Sequence, residues 1–223
     1  TDPGQIDAAA SNVAETLDDR PLLGLVNNAG ITVNGPLEFV PLSELRRQLE
    51  VNVVAQLAVT QAFLPLLRES RGRVVLMGSV AGFLASPGLG PYAMSKHALE
   101  AMADVLRLEL SPWGMHVALI EPGTIETPIW EKGFRSWAEF QKAAPQELDA
   151  LYSPQNQGVE SLARHAISKA QPPEVVAEAV AHALTSTRPK SRYLVGGQAG
   201  QQRFLSLLPD SWRDRALRKM LRL

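Results

Sequence analysis

A chain of 223 residues, 45% hydrophobic and 20% charged, is long enough to bury one large core and is composed like an ordinary globular protein. A net charge of -1 gives no broad basic field for nucleic acid or an anionic membrane, and the lack of cysteine excludes disulfides and thiolate chemistry. The polar opening Thr1–Gln5 does not read as a signal peptide and no unbroken apolar run has bilayer length, so a cytoplasmic location is expected.

Asp2 is placed as an N-cap, Pro3 fits the first helical position and Gln5 could close a capping box, which predicts a helix over about 3–18. The apolar run Leu22–Val26 reads as a buried strand and ends in the turn Asn27-Asn28-Ala29-Gly30. From Ser43 to about Leu67 the pattern is helical, with Pro65 expected to kink or end it. Arg73–Met77 is the next strand, followed by a Gly- and Pro-rich loop over 82–91. A helix then runs from about Tyr92 to Leu110, stopped by Pro112 and Gly114.

Met115–Ile120 is a third strand, closed by Pro122-Gly123. Residues 124–170 carry Trp130, Phe134, Trp137, Phe140 and Tyr152 among polar positions, the pattern of an irregular lid or substrate-binding segment. A helix after Pro172-Pro173, the strand Arg192–Val195 and a basic amphipathic piece over about 203–222 complete the chain. Alternating helices and strands, without repeats or linkers, predict an α/β fold with a largely parallel sheet and a single domain over 1–223.

Tyr92 and Lys96 carry the chemistry. Four residues apart at a helix start, they share a face, and a nearby ammonium lowers the pKa of a phenol. Such a pair could take a proton from an alcohol or give one to a ketone oxygen. Ser79 ends the strand at 73–78, where open α/β sheets place their ligand crevice, and its hydroxyl could hold a substrate oxygen; the plainer reading is a turn or capping serine. Asn52 is an unfavourable residue within a helix unless it has a role, such as a polar contact inside a helix interface.

Rival chemistries fail on spacing. Gly78-Ser79-Val80-Ala81-Gly82 misses the hydrolase nucleophile elbow by one position, and His97, His116, His165 and His182 lack metal-ligand spacing. Gly196-Gly197 reads as a turn before a helix rather than a phosphate loop.

Taken in order, Asn27-Asn28-Ala29-Gly30, Val51-Asn52-Val53, Gly78-Ser79, Tyr92-Ala93-Met94-Ser95-Lys96 and Pro122-Gly123-Thr124-Ile125-Glu126-Thr127 resemble the short-chain dehydrogenases/reductases over essentially the whole chain. The resemblance implies a Rossmann-like doubly wound parallel sheet and hydride transfer between NAD or NADP and an alcohol or carbonyl. It implies Tyr92 as general acid/base, Lys96 as its pKa-lowering partner and ribose ligand, Ser79 as substrate orienter, and Asn52 as holder of a proton-relaying water. Asn28, Ala29 and Gly30 would lie along the cofactor, and Pro122, Gly123, Ile125 and Thr127 would frame its nicotinamide. Ile120-Glu121-Pro122-Gly123 is closer to the steroid- and retinol-type members.

The family pattern opens with a strand and a Gly-x-x-x-Gly-x-Gly turn, which this sequence does not contain, so an N-terminally truncated fold with its first strands absent is expected. The residue that separates NAD from NADP would lie in that part. Two functions follow: an oxidoreductase for a lipophilic secondary alcohol or ketone, or a non-catalytic remnant acting as a binding or dimerisation module. A homo-oligomer is expected, without nucleic acid, and the basic tail is expected to cover a subunit or domain rather than a membrane surface.

Overall fold

Parallel strands need crossovers, and alternating helices and strands supply them. In the computed structural model, which describes residues 1–143 and 145–221, four strands pair in chain order and all in parallel: β1 (Gly24–Asn27), β2 (Arg73–Met77), β3 (His116–Pro122) and β4 (Arg192–Val195). Val75 stands beside Val26 on one side and Ala118 on the other, and Ile120 beside Met77 and Tyr193.

Side chains alternate across the pleat. Val74, Leu76, Val117 and Leu119 face one layer, packed with Phe63 and Leu67 of α3 (Ala55–Ser70) and Leu99, Ala103 and Leu106 of α4 (Gly90–Glu109). Val75, Ala118, Ile120, Tyr193 and Val195 face the other, closed by Ala183 of α7 (Glu174–Thr185). Helices on both faces make the sheet doubly wound, with every strand delivering its C-terminal end to the same side.

Local signals behave as read near the start. Asp2 caps α1 (Pro3–Leu17), its carboxylate accepting from the Gln5 N–H at 2.9 Å. The long helix differs. It runs through α2 (Leu42–Leu49), a π turn at Glu50–Val54 and α3 without stopping at Pro65. Pro65 is exposed, so the carbonyl it cannot pair with, on exposed Gln61, can turn to water. This helix is long and apolar enough to cross a membrane by length and composition. Its buried Gln48, Asn52, Gln56 and Thr60, all bonded within the domain, mark it as a core helix.

The segment expected to be irregular is mostly helical, as α5 (Ile129–Ala143) and α6 (Gln146–Ile167). Its scattered aromatics obscure a 3.6-residue pattern because they pack on several partners: Phe140 against Gly35, Trp137 on Phe140, Phe134 on Arg164 and Tyr152 on Phe39. The tail splits into α8 (Ala199–Ser206) and α9 (Asp210–Leu221), and α9 docks on α6 with Leu221 buried. Arg222, the last residue read as part of this amphipathic piece, and Leu223 after it lie outside the described residues.

Candidate active site

The crevice beyond the strand ends is built first from a row of buried polar side chains. Gln48, Asn52, Gln56 and Thr60 recur every four residues along the long helix and face the loop leaving β1. Thr60 accepts from the Asn27 amide at 2.8 Å, and Gln56 donates to the Ala29 carbonyl at 3.0 Å. Asn52 accepts from the Ile31 N–H at 2.9 Å and donates to the Ile31 carbonyl at 3.0 Å. Gln48 donates to that same carbonyl at 2.8 Å and accepts from Val33 N–H at 2.6 Å. A strict four-residue spacing overruns the helical turn by about 40° per step, and the wider π turn takes up part of that drift.

This row holds Asn28, Ala29 and Gly30 exposed at the mouth of the crevice. Gly30 lies against the Asn52 carboxamide, where an added Cβ would meet Oδ1 at 3.4 Å. Both Asn52 amide hydrogens are engaged, the second by Ser95 Oγ at 3.1 Å. The polar helix-interface contact is therefore present, and the amide nitrogen has no hydrogen left for a water.

β2 ends at Met77 and turns at Ser79, whose hydroxyl accepts from the Ala81 N–H at 3.2 Å and caps the short helical turn Val80–Gly82. Ser79 is thus a capping serine, and its side chain also lies beside the Tyr92 phenol, where it favours the ionised form. Gly78 permits this turn, because an added Cβ would stand 2.9 Å from the Ile120 carbonyl.

Tyr92 and Lys96 occupy the first turns of α4, which begins with Pro91 close to its N-terminus. Lys96 is buried, its Nζ donating to the Met77 carbonyl at 2.6 Å and lying 5.5 Å from the Tyr92 ring centroid. Burial lowers the Lys96 pKa to about 8. Burial also raises the Tyr92 pKa, and the Ser79 side chain opposes that rise. This corrects the expected direction for Tyr92. Removing the phenol from water outweighs the polar neighbour that favours phenolate.

The fourth side of the crevice is the chain after β3. Gly123 N–H donates to the Val195 carbonyl at 2.8 Å, Ile125 is buried and paired with Gln171, and Trp130 Nε1 donates to the Ile125 carbonyl at 2.8 Å. Pro122 ends β3, and Thr127 is half-buried in the turn before α5. Asn28–Gly30, Asn52, Ser79, Tyr92, Lys96 and Pro122–Thr127 thus come from five separated stretches to the C-terminal side of one sheet, the place where open α/β sheets bind ligands.

Sequence reasoning missed two groups. One is the row containing Gln48 and Gln56 with Ser95; the buried four-residue amide spacing was its available signal. The other is a charged cluster behind Lys96. Arg192 donates to Glu121 Oε1 at 3.2 Å, to Asp104 Oδ1 at 2.8 Å and to Glu100, and Arg107 donates to the same Asp104 Oδ1 at 2.7 Å. Glu121, almost fully buried on β3, is pushed up to about 7 by burial and then by Glu100, with Arg192 and Arg203 opposing. No group of His, Asp and Glu among the described residues could hold a metal ion.

The short chain dehydrogenase family matches residues 1–137. Across its whole length the chain is 35% identical to the NADPH-dependent 3-dehydrocapnine reductase of Ornithobacterium rhinotracheale, of which it covers 78%. Over 54% of its length it is 48% identical to the 3-amino-tetrahydro-pyrrolizinone reductase of Xenorhabdus hominickii, covering 42% of that protein. A crystal structure of a short-chain dehydrogenase from Streptomyces avermitilis superposes with a TM-score of 0.73 at 27% identity, over 96% of this chain and 73% of that one. The family match over more than half of the sequence and the end-to-end likeness to a named reductase lead to one conclusion: the chain belongs to the short-chain dehydrogenase/reductase family.

Proposed function

We propose that this protein is an NAD(P)-dependent oxidoreductase that interconverts a lipophilic secondary alcohol and its ketone, with Tyr92 as general acid/base. The observation that carries the reading is the convergence of Ser79, Tyr92 and Lys96 at the ends of β2 and β3. Relatives named as an NADPH-dependent reductase and as a 17-beta-hydroxysteroid dehydrogenase support the same class of reaction.

The residues present fit a nicotinamide nucleotide. Lys96 gives one hydrogen to Met77 and has two further donors for a ribose diol, and the Asn28–Ala29–Gly30 turn is exposed and carries only small side chains. Pro122, Gly123, Ile125 and Thr127 would frame the nicotinamide. NAD or NADP, when bound, supplies or accepts the hydride.

The protein's own part is proton transfer and positioning. In alcohol oxidation the substrate O–H passes its proton to the Tyr92 oxygen as the carbinol carbon loses hydride; in ketone reduction the phenol returns it. Ser79 holds the substrate oxygen beside Tyr92 and favours the phenolate. Lys96, at about 8, is mostly cationic at neutral pH and keeps positive charge near the developing phenolate. Asn52 acts as a positioning residue through its amide; a relaying water would have to meet its backbone carbonyl.

Preference for lipophilic substrates rests on a cavity of about 490 Å³ between the loop Ala85–Gly90, α6 and α9. Leu37, Pro87, Val159 and Leu217 are among its walls, and it adjoins the loop that delivers Tyr92 rather than the phenol itself. The test is a panel of ketones assayed with NADPH and NADH by nicotinamide absorbance. Lipophilic ketones are expected to be reduced with the highest kcat/KM; best turnover of short sugars or hydroxy acids would reject the substrate class, and no turnover of any would reject the activity.

A further inference from the structure

A continuous buried line of hydrogen bonds joins the loop after β1 to the backbone of the tyrosine. Val33 N–H donates to Gln48, Gln48 and Asn52 both donate to the Ile31 carbonyl, Asn52 donates to Ser95 Oγ, and Ser95 Oγ donates to the Tyr92 carbonyl at 2.7 Å. Gln48, Asn52 and Ser95 are each fully enclosed. We propose that Gln48 and Ser95 are positioning residues that set the Tyr92 phenol against Ser79 and Lys96, acting through Asn52. The proposal rests on the reading of Tyr92 as the acid/base and names two residues for it.

Burial is what turns these contacts into positioning. No water can replace a lost partner without opening the interior, so each deletion leaves a polar group that must find another bond. Without Ser95 Oγ, one Asn52 amide hydrogen is unpaired and the Tyr92 carbonyl loses its side-chain partner. Without the Gln48 amide, the Ile31 carbonyl falls to Asn52 alone and Val33 N–H is unpaired. Either change loosens the loop and the first turn of α4 together. Tyr92 is the residue on that turn whose function depends on orientation, because its phenol must meet Ser79 on one side and lie near the Lys96 ammonium on the other. A small displacement there costs much in turnover and little in binding.

Only three tyrosines occur in the chain, Tyr92, Tyr152 and Tyr193, so each phenol can be followed directly. Protein labelled with carbon-13 at tyrosine Cζ is titrated by NMR, with the Tyr92 signal assigned through Tyr92→Phe. In Ser95→Ala and Gln48→Met the Tyr92 signal is expected to shift and its titration midpoint to rise as the phenol moves away from Ser79, while Tyr152 and Tyr193 stay in place. With a ketone from the panel, kcat is expected to fall about tenfold with KM nearly unchanged. The double variant is expected to lose less than the product of the two single losses, since both act on one line of bonds.

An unmoved Tyr92 signal in folded variants would overturn the proposal, as would strictly multiplicative losses. Should Ser95→Ala not fold, Gln48→Glu, which keeps the acceptor for Val33 N–H, carries the same readouts. If the parent reduces no ketone, the functional reading fails, and the NMR titration still decides whether Gln48 and Ser95 hold Tyr92.

Discussion

Replacing Glu121 by glutamine should stabilise the protein at alkaline pH and leave it nearly unchanged in acid. Glu121 is held on β3 among Glu100 and Asp104 of α4, Arg192 of β4 and Arg203 of α8, and its pKa is raised from 4.5 to about 7, first by burial and then by Glu100. A carboxyl with a raised folded-state pKa binds its proton more tightly in the native protein. The stability this contributes is complete below 4.5 and is lost as pH rises through about 7. The interval corresponds to at most about 3 kcal/mol at 1.36 kcal/mol per pH unit. Glutamine does not titrate and keeps a donor for Glu100 and an acceptor for Arg192, so the variant escapes the loss. Urea unfolding followed by tryptophan fluorescence should give a variant-minus-parent difference near zero at pH 4, growing to as much as about 3 kcal/mol by pH 8. A difference that is the same at both pH values would refute the assignment of the proton to this cluster.

Tyr92→Phe should lower turnover by about 10²–10⁴-fold, the usual weight of a general acid/base, with cofactor affinity by fluorescence titration little changed; activity within a few-fold of the parent would refute the role. Lys96→Met should abolish turnover and weaken cofactor binding. Because the buried lysine has its pKa lowered from 10.5 to about 8, the parent should gain stability relative to this variant as pH rises from 8 towards 10.5, which thermal melts across that window would measure. Gly78→Ala should cost about 1–3 kcal/mol, since its Cβ would press on the Ile120 carbonyl and Leu119, and a melting temperature equal to the parent's would contradict the packing.

The parallel sheet and the candidate site were legible in the sequence for a physical reason. β2 and β4 are short and apolar between turn residues, and Arg73–Met77 and Arg192–Val195 fall where the pattern put them. The chemistry-bearing residues sit at strand ends and in a first helical turn, where residue type and local position nearly coincide. Long-range solvation was not legible. Tyr92 reads as a phenol beside an ammonium, and only the packing of β2 and α4 around it reveals that burial governs its pKa. Pro65 reads as a kink or end of the helix because the sequence does not tell that Pro65 and Gln61 both lie on its exposed side. Residues 124–170 read as irregular because α5 and α6 meet several surfaces at once, so their aromatics do not fall on one stripe. Gln48 and Gln56 read as ordinary polar residues, since their partners lie 15 to 27 residues away along the chain.

The π turn at Glu50–Val54 makes residue count, as well as residue type, a constraint on this helix. It works as a vernier between two scales: the four-residue rhythm of the amides and the shorter repeat of an α-helix. Removing one residue there, such as exposed Val54, would restore a plain α-helix, and the twist regained over the turn would largely offset the roughly 100° taken out with that residue. Gln56 and Thr60 would still face Ala29 and Asn27, with Gln48 on Val33. A single deletion inside the π turn should therefore be borne better than one within α3, where no slack takes up the lost residue.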